Sequence, residues 1–176
     1  AGAVGHYAIQ WAKRFGARVV TTVSSLSKAT HAQAAGADLV VNYRTEDVAA
    51  RIRAFTGGAG LGHVVDVDFG ANVAMLVPLM AANGSIAYYA TRSNPQPLLP
   101  ADAIMRRNLS IHGLVLNGAP LAARRRAQAD IVRWLREGGM QHTVSSVHPL
   151  PCTADAHAAV ESGTKRGTVV VDCTAI

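Results

Sequence analysis

Apolar positions along the chain change their spacing in a regular way, and the changes mark the elements. Val4, Ala8, Trp11, Ala12 and Phe15 recur every three to four residues, so they form one face of a helix that Gly16 ends. Residues 18–23 are then almost continuously β-branched, as in a parallel strand covered on both faces. Ser24, Ser25 and Ser27 lead into a helix over 28–35, stopped by Gly36, and a short strand follows at 39–42. Thr45, Glu46 and Asp47 open a third helix to residue 56, with acids at its positive end. Four glycines, Gly57, Gly58, Gly60 and Gly62, break the chain before a strand at 63–67.

The alternation continues with a helix at 72–80, a turn at Asn83-Gly84 and a strand at 85–89. Pro95, Pro97 and Pro100 mark an irregular loop. A short helix at 101–107, a strand at 109–116 and a long helix at 120–137 follow. Ile131, Trp134 and Leu135 form the apolar side of that long helix. Strand and helix in strict succession predict an α/β fold, a doubly wound parallel sheet with helices on both faces. Beyond residue 140 the pattern departs: a half-exposed strand at 143–148, Pro149 and Pro151, a helix at 153–161 and a last strand at 167–173.

Composition narrows the class. The 176 residues are 49% hydrophobic and 16% charged, enough apolar surface for a packed core and too little charge for a disordered chain. No apolar run is long enough to span a bilayer, and no leader pattern stands at the start, so a soluble, cytoplasmic protein is expected. The two cysteines, Cys152 and Cys173, supply neither a disulfide framework nor a zinc site. A formal net charge of +6 admits a polyanionic ligand. The densest basic run, Arg124-Arg125-Arg126, has no interleaved aromatic residues to stack on bases, so a solvated helix face is preferred and nucleic acid is not the expected partner.

The opening stretch Gly2-Ala3-Val4-Gly5 sets two glycines three apart before a helix. That is the closing half of a G-x-G-x-x-G turn, in which one glycine admits a pyrophosphate and the next lets the helix pack closely, while the helix N-terminus offers its N–H groups. A plain tight turn carries the same two glycines. At the end of the second-strand position, where an NAD-selective site places an acid, stand Ser24 and Ser25, with Lys28 one turn on. Hydroxyls and a cation suit a 2′-phosphate; a helix cap and a solvated lysine would use the same residues. The strand ends also direct Asp66, Asp68, Phe69 and Gly70, then Tyr89, Ala90 and Thr91, then Leu116 and Asn117, toward a ligand. Asp66 and Asp68 share a strand face, but the reading preferred is structural or cofactor-facing. No H-E-x-x-H, no cysteine cluster and no G-x-S-x-G is present, so no metal is expected.

Several segments together resemble one family. They are Gly2 to Gly5 with Ala8-Ile9-Gln10, Ala34 to Asp38, Asn42-Tyr43-Arg44 with Glu46-Asp47, Thr56-Gly57-Gly58, Asp66 to Asn72, Asn83-Gly84, and Gly163 to Gly167. The chain resembles the cofactor-binding half of the medium-chain dehydrogenase/reductases, in the zinc-independent quinone oxidoreductase (zeta-crystallin-like) branch. Polyketide-type enoyl reductases share much of the pattern.

The resemblance implies a Rossmann-type sheet lacking its first strand and a barrel-like catalytic domain outside this sequence. It implies an NADP-binding domain over 1–140 and a segment, 141–176, that belongs to the catalytic domain. Tyr43, and with it Arg44, would join Lys28 around the adenosine phosphate. The cofactor set is then Gly2, Ala3, Val4, Gly5, Ser24, Ser25, Lys28, Tyr43, Asp68, Phe69, Tyr89, Ala90 and Leu116, with NADPH preferred over NADH. Hydride transfer to a quinone or a related α,β-unsaturated carbonyl is the implied reaction, with no catalytic residue identifiable here. A dinucleotide-binding module without catalysis is the alternative. Relatives dimerise through the edge strand, so a homodimer through 109–116 is expected. With the catalytic domain absent, the tail strands at 143–148 and 167–173 should lack partners.

Overall fold

The computed structural model describes residues 2–174; Ala1, which opens the glycine turn in the sequence, lies outside them. The elements run α1 (Ala3–Arg14), β1 (Val20–Val23), α2 (Leu26–Ala34), β2 (Leu39–Asn42), α3 (Val48–Thr56), β3 (Leu61–Asp66), α4 (Phe69–Leu76) and β4 (Met80–Tyr88). They continue with α5 (Ala101–Arg106), β5 (Ser110–Gly113), α6 (Leu121–Glu137), β6 (Val144–Pro149), α7 (Thr153–Glu161) and β7 (Thr168–Asp172). Every strand pair is parallel. The strands sort into β1-β2, β3-β4-β5 and β6-β7. Two compact units result, Ala1–Val48 with Gly139–Ile176, and Ala49–Gly138.

In the first unit α1 and α2 close over the parallel pair β1-β2, in register Val20↔Leu39 to Val23↔Asn42. Its core is Ile9, Val23, Ala32 and Ala35, with Val19 and Val40 against it. Small alanines on α2 let the helix lie close to the strands. The C-terminal end of α1 is tied down by Lys13, whose Nζ meets both carboxylate oxygens of Asp38 at 2.9 Å, while the backbone N–H of Val19 donates to the same carboxylate at 2.6 Å. That backbone bond, then the lysine, holds the Asp38 carboxyl below its ordinary range. Gly36 fills the turn between α2 and β2 at φ +100°, a left-handed conformation that L side chains rarely adopt.

The tail belongs to this unit and is not an orphan. β6 and β7 pair with each other, Val144↔Thr168 through Pro149↔Asp172, and α7 is the crossover packed on both. Parallel neighbours require a connection of a dozen or more residues, and the stretch carrying α7 provides it. The sequence pattern showed two strands and a helix but not that they satisfy one another. Gly167 adds a bridge to Gly2 at the start of α1.

In the second unit α4, α5 and the three-stranded sheet enclose Phe69, Val73, Leu76, Val77, Met80 and Ile86. Pro78, which has no N–H to continue the ladder, ends the helical run in a 3-10 turn, so β4 begins at Met80 where the sequence suggested helix. The register then jumps from Leu61↔Met80 to His63↔Ser85. Asn83, at φ 60°, and Gly84 occupy the looped-out residues, which is the turn that the sequence placed there. Other boundaries shift. α3 starts at Val48, because Thr45 and Glu46 instead turn back on Asn42 through N–H bonds to its carbonyl, and no acid lies in the helix's first turn. β5 covers only Ser110–Gly113 of the strand expected over 109–116. On α6 Trp134 is buried, whereas Ile131 and Leu135 are exposed, contrary to the expected apolar side.

Candidate functional site

The start of α1 meets Gly167 through the backbone bridge at Gly2 and carries no side-chain cap. Gly2 is the N-cap residue with extended backbone, and the helix's first turn holds no acid. A β-carbon placed on Gly2 or Gly5 would meet nothing within 4 Å. Close helix packing therefore does not explain Gly5 among the described residues. The space over the turn is clear, Val4 is exposed, and the orphan N–H groups and the positive helix end remain to receive an anion.

Ser24 and Lys28 come together at the carboxyl end of β1, where Lys28 Nζ donates to Ser24 Oγ at 3.2 Å. Ser25 is the N-cap of α2 and accepts from the Lys28 N–H at 3.4 Å, so its hydroxyl serves the helix as well. Because Val23 and Asn42 are register partners, Ser24 and Tyr43 leave the ends of neighbouring strands at the same level. The Tyr43 N–H bonds to Val23 O at 3.0 Å, and its side chain is exposed. The carboxyl ends of β1 and β2 thus present an ammonium, a hydroxyl and a phenol, with the Glu46 carboxylate engaged on the Asn42 N–H at 2.7 Å.

In the second unit the expected residues lie at the carboxyl ends of β3 and β4, held by a polar network. Asp66 is 8% exposed and its carboxylate accepts from the Asp68 N–H at 2.6 Å and from Asn72 Nδ2 at 3.0 and 3.3 Å. Burial raises its pKa above the ordinary carboxylate value, against those hydrogen bonds. Asp68 in turn binds the N–H of Ser93 at 3.1 Å and the Ser93 hydroxyl. The Phe69 N–H reaches Ala90 O at 3.1 Å, and the Tyr89 N–H reaches Asp66 O at 3.2 Å. Thr91 Oγ1 accepts from the Gly70 N–H and donates to Asn94 O. These contacts clamp the loop after β4 onto the start of α4.

The network redefines some expected roles. The Phe69 ring is buried and stacks on Tyr88 with centroids 4.4 Å apart, so its side chain is core and only its backbone borders the strand ends. Tyr89 is half-exposed, and desolvation first, then the Asp66 charge, keeps its phenol protonated to higher pH than usual. Leu116 is exposed in a 3-10 turn beyond β5. Asp66 and Asp68 spend their carboxylates on different partners and do not form an acid/base pair. Asn72, Ser93 and Asn94 were not singled out in the sequence. Only Gly70, whose added β-carbon would overlap Asn94 O, gave a local signal.

Among the described residues no group of three or more His, Cys, Asp or Glu is placed to hold a metal ion, and both cysteines are free. No helix there is long and apolar enough to cross a membrane.

Comparison with known proteins agrees with the fold. Residues 3–137 match the family described as zinc-binding dehydrogenase. Quinone oxidoreductase 1 of Escherichia coli (strain K12) is 47% identical over 66 residues, 38% of this chain and 20% of that protein. A mycobacterial protein in complex with NADPH superposes with a TM-score of 0.82 at 28% identity, covering 97% of this chain and 55% of that one. An NAD-dependent alcohol dehydrogenase gives a TM-score of 0.82 at 33% identity, with coverages of 97% and 49%. The chain spans about half the length of these solved structures. The parallel α/β arrangement is that of their Rossmann-type cofactor-binding domains. The zinc in the family description finds no matching ligand set in the described residues.

Proposed function

This chain belongs to the zinc-binding dehydrogenase family of the medium-chain dehydrogenase/reductases, as a quinone-oxidoreductase-like member, and from that premise we propose that it binds NADPH in a zinc-independent oxidoreductase. The observation that carries the cofactor choice is the Lys28–Ser24 pair at the end of β1. An NAD-selective site would place a carboxylate in that position to hold the ribose 2′-hydroxyl. Here the ammonium of Lys28, the hydroxyl of Ser24 and the phenol of Tyr43 offer donors to a 2′-phosphate. The open N–H groups of the Gly2 to Gly5 turn would hold the pyrophosphate. By the strand-end rule Asp68, Phe69, Tyr89 and Ala90, with Leu116, remain cofactor-facing candidates.

When bound, the nicotinamide supplies the hydride; the protein supplies position and electrostatics. The substrate class proposed is a quinone or related α,β-unsaturated carbonyl, supported by the match to quinone oxidoreductase 1. Residues 1–140 form the nucleotide-binding part and 141–176 the segment shared with a catalytic domain. The protein works as a cytoplasmic homodimer joined near the edge strand β5.

A second reading keeps the dinucleotide and drops the chemistry, because the chain spans about half of its structural relatives. Following NADPH oxidation at 340 nm with a benzoquinone acceptor separates the two. Turnover supports the oxidoreductase in this chain, and binding without turnover supports a binding module.

A further inference from the structure

A cleft of about 320 Å³ opens in the first unit, beside the cofactor candidates: its Ser27 hydroxyl lies 3.2 Å from that of Ser25. One wall is a single face of α2, carrying Ser27, Thr30 and His31; the other is the chain entering β6, with Thr143 and Ser145, and Arg166 from the turn before β7. No carboxylate lines it. Its side-chain polar groups are therefore a guanidinium, an imidazole and hydroxyls, each able to donate a hydrogen bond. We propose that this cleft binds a phosphoryl oxyanion, with Arg166 as its charge partner and His31 as a ring N–H donor.

A second observation points the same way. The His31 ring is held rigidly, stacked on His6 with centroids 4.3 Å apart and planes 12° from parallel. Its Nε2 is shielded from solvent and has no hydrogen-bond partner among the described residues. His6, 2% exposed, is fixed behind it by Gln141 O at 3.3 Å from its Nε2. A buried polar nitrogen without a partner costs stability unless something completes it. An oxyanion drawn to Arg166 would do so once a small displacement of the wall opens His31 Nε2 to the cleft, and Arg is suited to the geometry of phosphoryl oxygens.

The surroundings also make the site proton-linked. Burial, then the neighbouring His6, with Arg166 adding to it, hold the His31 pKa below its ordinary value. His6 is lowered by burial first, opposed by the Gln141 carbonyl, with His142 adding to the lowering. Among the described residues no carboxylate figures among the groups that shift this pair. A bound anion would supply the missing negative charge, so binding should take up protons and tighten as pH falls toward the lowered His31 value.

The test follows the His31 imidazole by long-range nitrogen-proton NMR on the whole chain while inorganic phosphate is added, with chloride at matched ionic strength as control. The expected result is a saturable shift with phosphate alone, weakened about tenfold in Arg166→Gln, whose side chain is exposed and whose loss should leave the fold intact. The shift should persist when NADPH is saturating. Sulfate, which does not titrate in this range, should bind more tightly at the lower pH, and His31→Gln should remove that dependence. Absence of a saturable shift, an unchanged response in Arg166→Gln, or displacement by NADPH would overturn the proposal; displacement would assign the anion to the cofactor site. The response to phosphate does not require that NADPH bind, so the two readings fail separately.

Discussion

A β-carbon on Gly70 would overlap the carbonyl oxygen of Asn94, so the loop after β4 can close on the start of α4 only because residue 70 has no side chain. The closure is fastened by the Gly70 N–H to Thr91 Oγ1 at 3.1 Å and by Thr91 Oγ1 to Asn94 O at 2.9 Å. Gly70→Ala should therefore push the loop away and cost about 1–3 kcal/mol, the usual penalty for overpacking. Urea unfolding would show a lower midpoint. An unchanged midpoint would mean that the loop is not held as described.

Asp66 fastens the same region from below. Asp66→Ala would leave the Asp68 N–H and the Asn72 amide without their acceptor, at a cost of about 1–3 kcal/mol. The pH dependence has a definite sign. Burial raises the Asp66 pKa in the folded chain. Its contribution to stability is therefore greatest below about 3.9 and falls as pH rises toward the raised value. Comparing wild type and Asp66→Asn across that window isolates the slope, and a slope of the opposite sign would contradict the burial argument.

The stacked pair His6 and His31 sets a second pH window. Burial lowers both pKa values in the fold, so the unfolded chain takes up protons first as pH drops. Stability from this pair is complete above about 6.5 and declines below it, toward the lowered folded values. Chemical denaturation between about pH 7.5 and 5 should show that decline, and His31→Gln should flatten it. An unaltered profile in His31→Gln would place the titration elsewhere.

Legibility in the sequence followed the range of the interaction. α1, α2 and their stops were readable because helical spacing and glycines such as Gly16 and Gly36, both at positive φ, are local signals. The start of α3 was misread because Glu46 looks like a first-turn acid; its carboxylate accepts from the Asn42 N–H at 2.7 Å instead. Thr143 and Thr168, joined by a backbone bond in the tail, are 25 residues apart, and Gln10 and Gln141, which exchange two bonds, 131. No periodicity announces such pairs. The site showed the same division. Ser24, Ser25 and Lys28 lie within five residues and stood out together as candidates, whereas Ser93, the partner of Asp68, carried no local mark.

Assembly is tested at the sheet edge. β5 ends the order β3-β4-β5, and Leu114, Val115 and Leu116 just beyond it are exposed. An edge of this kind pairs readily with another chain, and a charge blocks it. Light scattering should give a dimer for the wild type and a monomer for Val115→Lys with unchanged circular dichroism. A monomeric wild type, or a dimer that survives the lysine, would rule this interface out.

The preference for NADPH turns on Lys28 and Ser24 reading a 2′-phosphate. Calorimetric titration of the wild type and of Lys28→Ala with NADPH and with NADH measures this directly. The expected result is tighter binding of NADPH, with Lys28→Ala losing about 1.5–3 kcal/mol toward NADPH, roughly ten- to hundredfold in affinity, and little toward NADH. Equal affinities in the wild type, or equal losses for both cofactors in the variant, would contradict it.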